Sequence, residues 1–313
     1  TSGETDCRSV IGLDLYTDQM LIDCGRHLAC LAEHARKVDL RIILRCARLL
    51  LAAIAHKPYG SRFLALDNVS WCHAKSGFPP STFVLTDVPR SDTRRSLDNA
   101  RVATMLIGRE PVVGTPVMPY PMHPNQIRQL DDVTCQRLRV TPKSGIFFAG
   151  NQKARYGRGG MQDGFGVLSR LEVLDALRSK FSHRVVSREA GGDSDAIVIR
   201  DSQTDPIEPK DWFSVLGRHE FFLCPPGASQ PMCHNAVEAM AAGMIPILEY
   251  GDRFNPQLID GKNAICFSGR SGLIDAIERI DAMSVEARGV LRRNVCSYFD
   301  NHLRGESFLS RIE

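Results

Sequence analysis

The sequence lacks long apolar runs and has little excess of charge of either sign. Its longest apolar run, Leu49–Ala55, is far shorter than the roughly 20 residues that a membrane-spanning helix needs. The net charge of +3 over 313 residues is too small to indicate a nucleic-acid-binding protein. We therefore expect no nucleic-acid partner, and the length suits two domains of ordinary size.

Motifs for metals, disulfides and nucleotide hydrolysis are also missing. The ten cysteines show no C-x-x-C spacing and no paired Cys/His ligands, and most lie in apolar runs, as Cys46, Cys224 and Cys266 do. There is no Walker A loop and no G-x-G-x-x-G fingerprint. The closest approach to a metal-binding D-x-D motif, Asp193–Asp195, lies in a Gly-rich loop typical of a turn. We therefore predict no metal site and no bound cofactor, and a phosphate-releasing enzyme of another doubly wound family is disfavoured.

These absences also bear on location. Cysteines of this kind are typical of buried thiols in a reducing compartment, and no signal peptide is visible. We expect a cytoplasmic protein, peripheral to the membrane at most, or one of the Golgi lumen if the sequence is a piece of a longer eukaryotic enzyme.

The most informative stretch of the chain runs from residue 220 to residue 263. It predicts a buried strand at Phe221–Cys224, a Pro-Pro-Gly turn, a helix over residues 230–242 with Ser229 as N-cap, and a second buried strand at Met244–Leu248. A strand, a Gly-containing loop, a helix and a strand in this order are typical of a parallel crossover in a doubly wound α/β fold.

The loop before this helix is where a ligand is expected, because open parallel sheets bind ligands at the carboxyl ends of their strands. Loop amides and a helix N-terminus collect positive potential there, which favours an anion. His234 and Glu238 are four residues apart and share a helix face. A carboxylate at Glu238 can accept hydrogen bonds from the two hydroxyls of a ribose while the loop amides hold a diphosphate. The predicted contacts in this stretch are Gly227, Ser229, Gln230, His234, Asn235 and Glu238.

An ordinary solvated carboxylate is the alternative interpretation of Glu238. Val237 and the residues 239–242 make the helix apolar nearly all round, which predicts a buried helix. A buried glutamate needs a partner or a ligand.

The stretch resembles the nucleotide-sugar half of exostosin-like glycosyltransferases, which share the GT-B architecture. The resemblance covers residues 115–270 and is carried by FFLCPPG, NAVEAMAAG, MIPIL and FNPQLIDGKNAICF, with PVMPYP and GIFFAGN upstream. In that family the helix glutamate contacts the ribose of the donor, which implies this role for Glu238. Many members have an Arg shortly before the glutamate, whereas this chain has Cys233 and His234.

The resemblance implies a GT-B-like α/β fold with two Rossmann-like domains facing across a cleft. We expect an N-terminal acceptor-side domain over residues 1–140 and a nucleotide-sugar-binding domain over residues 141–285. Residues 286–313 are predicted as a closing helix, which in GT-B proteins commonly crosses back to the first domain. The donor is expected to be a UDP- or GDP-linked sugar, and inverting transfer is implied.

The N-terminal half carries weaker signals. Residues 17–36 have the apolar spacing of a helix. Residues 39–56 predict a second helix with Arg41, Arg45 and Arg48 along one face. Such a helix suits peripheral contact with an anionic membrane, and an ordinary domain helix with a solvated Arg face is the alternative.

Candidate acid and base groups follow two short apolar runs in this half. Phe63–Leu66 and Thr82–Thr86 predict strands that end at Asp67 and Asp87. Asp after a strand is often a turn former, yet strand ends are also where catalytic groups lie. Asp87 is therefore a candidate catalytic base, with Asp67 in reserve.

Residues 120–142 are rich in proline and predict the crossing between the domains. His123 in this crossing is the second candidate base, because histidine is the commonest general base. A structural or exposed histidine is the alternative.

A Gly- and Arg-rich loop follows the predicted strand Ile146–Ala149. Glycine permits close backbone approach, and arginine binds phosphate oxygens bidentately. We predict phosphate or donor contacts from Gly150, Asn151, Arg155 and Arg158, with a plain surface loop as the alternative.

Two functions remain open on the sequence. The first is a metal-independent glycosyltransferase that moves a sugar from a nucleotide sugar to a hydroxyl of a glycan or lipid-linked acceptor. The second is a GT-B-fold nucleotide or carbohydrate binding protein without transferase activity.

Overall fold

The computed structural model describes residues 9–88, 101–104, 120–157, 159–188 and 195–312. The chain forms two compact units. Unit 1 comprises residues 1–128 and 303–313, and unit 2 comprises residues 129–302. Each unit is built on its own parallel sheet with helices in the connections, as the α/β prediction requires.

Unit 1 has a five-stranded sheet in the order β3-β2-β1-β4-β5. Its described strands are β1 (Val10–Asp14), β2 (Arg41–Cys46), β3 (Val69–His73), β4 (Phe83–Thr86) and β5 (Arg101–Thr104). Its described helices are α1 (Arg26–Lys37), α2 (Arg48–His56), α3 (Pro58–Leu64), α4 (Pro124–Ile127) and the final helix Gly305–Ile312.

The centre of this sheet is a buried apolar layer. Leu13 of β1 pairs with Leu44 of β2 and Leu85 of β4, and none of the three is exposed to solvent. Fully burying one such side chain contributes about 1.5–3 kcal/mol. The strand at Thr82–Thr86 was expected and is confirmed as β4, whereas β1 and β3 were not expected.

The prediction of one basic helix over residues 39–56 is wrong. Residues Arg41–Cys46 form β2, which pairs with β1 and β3, and α2 begins only at Arg48. Arg45 is 2% exposed and directs its guanidinium onto Asp14, with Nε–Oδ1 and NH2–Oδ2 distances of 3.0 and 2.7 Å. The three arginines therefore share no helix face, which removes the basis for membrane contact through such a face.

Two further expectations for unit 1 need correction. The helix predicted over residues 17–36 is complete only from Arg26, because Asp23 and Cys24 adopt left-handed φ angles of 52° and 61°. The run Phe63–Leu66 is not a strand, because Phe63 and Leu64 end α3, which Pro58 opens at its first turn. The sequence also predicts a short polar helix over residues 91–100 and a strand around residue 117, and both lie outside the described residues.

The final helix, Gly305–Ile312, packs on α1. Glu306 accepts a hydrogen bond from His34 at 3.0 Å and pairs with Lys37 at 3.2 Å. Burial raises the pKa of Glu306, but the hydrogen bond and charge of His34 and the charge of Lys37 outweigh it and lower the pKa to about 2. A Cβ at Gly305 would overlap the His34 ring, so only glycine permits this approach.

Unit 2 has a six-stranded parallel sheet in the order β11-β10-β9-β6-β8-β7. Its described strands are β6 (Ser144–Gly150), β7 (Val185–Val186), β8 (Ile197–Asp201), β9 (His219–Leu223), β10 (Ile245–Leu248) and β11 (Ile265–Cys266). Its described helices are α5 (Asp132–Val140), α6 (Gly160–Phe165), α7 (Arg170–Lys180), α8 (Trp212–Leu216), α9 (His234–Ala241), α10 (Gly269–Asp281) and α11 (Val285–Tyr298). The final helix of the chain is α12.

The strands expected at residues 146–149, 221–224 and 244–248 are confirmed as β6, β9 and β10. β9 pairs in parallel with β6 on one side and β10 on the other. The crossover from β9 through α9 to β10 is therefore the unit that the sequence predicted.

The boundaries of the units differ from the expected ones. Unit 2 begins at residue 129 rather than 141, because α5 belongs to it. Arg139 of α5 makes a bidentate pair with Asp300 at 2.7 and 2.9 Å, and Cys135 donates to the Ala241 carbonyl. At the other end α11 stops at Tyr298, a π-helical turn follows, and the chain returns to unit 1 at residue 303.

The nine cysteines among the described residues are free thiols. Across the same residues, no helix combines the length and the apolar character required to span a bilayer.

Candidate functional site

Most of the predicted ligand residues lie at the carboxyl edge of the unit 2 sheet. β6 ends at Gly150 and β9 at Leu223. Because β6 and β9 are parallel neighbours, the loops that leave them start at the same edge. α9 follows the second loop, so its N-terminus also lies on this side of the sheet.

Arg170, the first residue of α7, ties the two loops together. Its Nε donates to the carbonyl of Pro226 at 3.1 Å and its NH1 donates to the carbonyl of Asn151 at 3.0 Å. The guanidinium also lies 4.0 Å from the ring centroid of Tyr156. With only 7% of the residue exposed, Arg170 acts as a structural cross-link. The sequence offered no sign of this role, because the residues it joins are distant along the chain.

The two predicted glycines are required by packing within the protein. A Cβ at Gly150 would lie 2.7 Å from the Phe148 ring, and one at Gly227 would lie 2.6 Å from the Gln230 carbonyl oxygen. Both contacts are closer than real Cβ atoms tolerate, so larger residues would distort the loops. Contact of Gly150 or Gly227 with a ligand stays a prediction.

The start of the helix differs from the expectation. α9 begins at His234, with Cys233 as N-cap, so Ser229 is not the N-cap and Gln230 lies outside the helix. The amide of Gly227 donates instead to the carbonyl of Pro231 at 3.2 Å, which closes a turn where the first helical turn was predicted. Asn235 fixes the new start, because its Nδ2 donates to the Ala149 carbonyl at 2.9 Å.

Glu238 is a buried carboxylate that Trp212 and His234 contact. It is 1% exposed, its Oε2 accepts from Trp212 Nε1 at 2.6 Å, and its Oε1 accepts from His234 Nδ1 at 2.9 Å. The interpretation of Glu238 as a solvated carboxylate is therefore wrong. Trp212 was missed, because it lies 26 residues away and no spacing rule connects them.

The Gly- and Arg-rich loop presents a different kind of surface. Arg155 lies in a 3-10 turn, is exposed, and donates to the Tyr156 hydroxyl at 3.2 Å. Asn151 accepts with its side chain from the Lys153 amide at 2.9 Å. Arg158 lies outside the described residues. Phosphate contact by Arg155 or Arg158 stays a prediction.

Cys224 and Tyr250 are buried at this edge of the sheet. Burial, together with the neighbouring Cys233 sulfur, raises the pKa of Cys224 well above its usual value. Burial likewise raises the pKa of Tyr250, whose hydroxyl lies 3.8 Å from Cys233 Sγ. Cys224 and Tyr250 therefore stay protonated at neutral pH and do not act as nucleophiles.

Asp87, the first candidate base, lies at the carboxyl end of β4 in unit 1. It is 3% exposed and accepts three hydrogen bonds, from Tyr16 N at 2.9 Å, Thr17 N at 2.8 Å and Thr17 Oγ1 at 2.7 Å. These bonds hold the loop after β1 against β4. Base action by Asp87 would have to compete with them.

His123, the second candidate base, is the N-cap of α4 in unit 1. Its Nδ1 accepts from the Asn125 amide at 3.2 Å, and its Nε2 lies 2.7 Å from the Tyr59 hydroxyl. Both ring nitrogens therefore have protein partners. Catalysis by either candidate stays a prediction.

The sequence and the structure were compared with those of known proteins. No protein-family model matches the sequence, and a comparison with curated proteins finds no match. Among solved structures, a glycosyltransferase from Rickettsia africae has a TM-score of 0.52 at 11% identity, over 97% of both chains. The trehalose-6-phosphate phosphatase N-terminal domain of Candida albicans has a TM-score of 0.47 at 8% identity, over 100% of this chain and 98% of that one. Anabaena HepE in complex with UDP has a TM-score of 0.43 at 9% identity, over 97% and 98%.

At sequence identities this low, the matches show a shared fold only. The resemblance to exostosin-like glycosyltransferases therefore stays a prediction. With two parallel α/β sheets and a match over 97% of its length to the Rickettsia enzyme, the chain has the GT-B fold.

Proposed function

We propose that the chain is a glycosyltransferase that uses a nucleotide-sugar donor and binds the nucleoside diphosphate at the carboxyl edge of the unit 2 sheet. The observation that carries the proposal is the construction of that edge. Arg170 and Asn235 hold two loops and the start of α9 together at the strand ends, where α/β sheets bind nucleotides. The glycosyltransferase fold neighbour supports the same reaction class.

The finer features of the reaction are part of the proposal. The donor is a UDP- or GDP-linked sugar, and the acceptor is a hydroxyl of a glycan or a lipid-linked glycan, attacked with inversion. The α9 N-terminus and the cation of Arg155 stabilise the leaving diphosphate, the role that a metal plays elsewhere. Across the described residues no three His, Cys, Asp or Glu side chains are grouped as metal ligands. The free thiols support a reducing compartment such as the cytoplasm.

A nucleotide panel tests the proposal. Thermal unfolding is measured with UDP, GDP, ADP and CMP, with and without a divalent metal. A nucleotide at 100 times its Kd should raise the free energy of unfolding by about 2.7 kcal/mol. Asp281→Asn, which alters an exposed ion pair of α10, serves as the control and should respond like the wild type. No shift with any of the four nucleotides would contradict the proposal.

Metal independence is tested on donor turnover. Release of the nucleoside diphosphate from a nucleotide sugar should continue in EDTA. Complete loss of release that manganese restores would show that carboxylates hold a metal after all.

A binding protein without transferase activity is the second candidate. The hydrogen bonds that occupy Asp87 and His123 favour it, because neither residue presents an oxygen or nitrogen without a protein partner. Nucleotide binding without sugar transfer to any tested acceptor, and without donor hydrolysis, would decide for this candidate.

A further inference from the structure

Three arginines of unit 1 converge on one buried carboxylate. Glu33 lies in the second half of α1, and only 1% of its side chain is exposed. Its Oε2 accepts a hydrogen bond from Arg36 NH2 at 3.1 Å. Its Oε1 accepts from Arg62 NH2 of α3 and from Nε of Arg128, the residue after α4, both at 2.8 Å. We call these four residues the Glu33 cluster.

One of the three arginines has a clear structural role. The side chain of Arg62 is 23% exposed, and its NH1 donates to Asn125 Oδ1 of α4 at 2.8 Å. Arg62 therefore joins α3 to α1 and α4, and its single charge neutralises the buried carboxylate. The side chains of Arg36 and Arg128 are 47% and 49% exposed. These two guanidinium groups reach solvent and add charge beyond what Glu33 requires.

The Glu33 cluster carries more positive charge than the residues around it balance. Three guanidinium groups and one carboxylate leave a net charge of +2. Among the described residues, none of the three arginines forms an ion pair with a second carboxylate. The carbonyl end of α1 offsets about half a unit of charge. Most of the positive excess therefore remains, and it favours an anion.

Phosphate is the anion that these groups suit best. Arginine binds phosphate oxygens through two parallel N–H donors. A phosphate monoester has three terminal oxygens and a charge of about −1.5 to −2 at neutral pH, whereas a diester carries about −1. The monoester therefore matches the excess charge of the cluster. Because Glu33 holds the arginines before a ligand arrives, less side-chain freedom is lost on binding.

The position of the cluster separates it from the proposed nucleotide site. α1 leaves β1 at its carboxyl end and leads to the start of β2, which is parallel to β1. The second half of α1 therefore lies towards the amino ends of the unit 1 strands. The proposed nucleotide site belongs to unit 2 and to the carboxyl ends of its strands. A ligand on the Glu33 cluster is therefore a second ligand of the chain.

We propose that the Glu33 cluster binds the phosphate group of a phosphate monoester, with Arg36 and Arg128 as its main contacts. Glu33 and Arg62 are positioning residues that hold this arrangement together. The monoester is carried by a soluble small molecule or by the headgroup of a lipid, and the chemistry that recognises it is the same. The inference does not depend on nucleotide binding by unit 2.

Calorimetric titration with inorganic phosphate at constant ionic strength tests the cluster. Arg36→Gln with Arg128→Gln should weaken phosphate binding at the cluster by about 10-fold or more, since each lost charged hydrogen bond is worth about that factor. Arg184→Gln with Arg279→Gln is the matched control, because it makes the same change in net charge at two arginines of unit 2 that each pair with a single carboxylate. The control should bind like the wild type. Equal binding by the wild type and both double variants would overturn the inference.

Spectra of the wild-type protein locate the bound phosphate without relying on the variants' affinities. In ¹⁵N-arginine-labelled protein, phosphate should shift the Nε–H signals of Arg36 and Arg128, assigned from the single variants, and leave that of Arg279 unchanged. Phosphate bound elsewhere, including at the unit 2 site, would leave the first two signals in place. Unchanged Arg36 and Arg128 signals with both phosphate and phosphatidic acid would overturn the inference.

Vesicle sedimentation distinguishes the two sources of the monoester. Phosphatidylcholine vesicles are mixed either with phosphatidic acid, whose headgroup is a monoester, or with phosphatidylglycerol, whose headgroup is a diester. Sedimentation of the wild type, but not of Arg36→Gln with Arg128→Gln, on phosphatidic acid alone would assign a lipid headgroup. Phosphate binding without sedimentation would assign a soluble monoester. Equal sedimentation with both anionic lipids would show general attraction to negative charge and overturn the inference.

Discussion

Asp87→Asn separates a structural role from a catalytic role for this residue. The carboxylate accepts three hydrogen bonds, two from the backbone amides of Tyr16 and Thr17 and one from the Thr17 hydroxyl. Asparagine offers one acceptor oxygen and one NH2 group. Whichever way the amide is turned, its NH2 faces a backbone N–H that the carboxylate had satisfied.

The size of the effect follows from these contacts. A hydrogen bond to a charged group contributes about 1.5–3 kcal/mol, and an unsatisfied buried donor costs about 1–3 kcal/mol. The two terms overlap, so we expect Asp87→Asn to lower the free energy of unfolding by about 2–4 kcal/mol. The melting temperature of unit 1 should fall by roughly 5–15 °C.

Urea unfolding followed by circular dichroism measures this loss. Asp23→Asn is the matched control in the same unit, because Asp23 forms an ion pair with Arg26 while its side chain is 43% exposed. Exposed pairs contribute about 1 kcal/mol at most. Wild-type stability of Asp87→Asn, combined with a large loss of turnover, would refute the structural reasoning and support Asp87 as the base.

Three further perturbations probe unit 1. Asp14→Asn leaves the buried Arg45 guanidinium without its charged partner and should lower the free energy of unfolding in urea by about 3–5 kcal/mol. The apolar double replacement Asp14→Leu with Arg45→Met should lower it clearly less. Equal losses in the two variants would contradict this expectation. Gly305→Ala should lower stability by about 1–3 kcal/mol, because its Cβ overlaps the α1 histidine ring, while Gly164→Ala, which has open space, should not. Glu306 has a folded pKa of about 2 against an ordinary 4.5; its contribution should be complete above pH 4.5 and be lost as the pH falls towards 2. An unchanged acid-unfolding curve of Glu306→Gln would contradict that sign.

The strands of unit 2 on either side of α9 could be predicted because the sequence signals for them lie within a few residues of each strand. The apolar run before Pro225 and the run after Gly243 are buried strands on both faces, and such runs are readable without knowledge of their neighbours. The fold class followed from the order of these elements. The start of α9 was missed because Gly227 and Pro231 close a turn that resembles a helix start in sequence.

The mistaken basic helix over residues 39–56 has a physical cause that lies outside the local sequence. Arg41 and Arg45 suggested a helix face because charged residues are rarely buried. Arg45 is buried because Asp14, from a strand 31 residues away, neutralises it, and no local pattern shows such a partner. The same limit applies to Glu238: the sequence indicated that it needs a partner or a ligand, but its indole partner comes from α8.

The return of the chain to unit 1 at residue 303 has a consequence for biosynthesis. Unit 2 is one continuous segment, so all of its residues are available before synthesis ends. Unit 1 needs α12 to cover the surface of α1 around His34. Phe308 and Leu309 of α12 belong to the same buried cluster as Leu28 and Leu31 of α1. Of the two units, the one whose synthesis starts first is therefore completed last, and the nascent chain exposes this apolar part of α1 until α12 emerges from the ribosome.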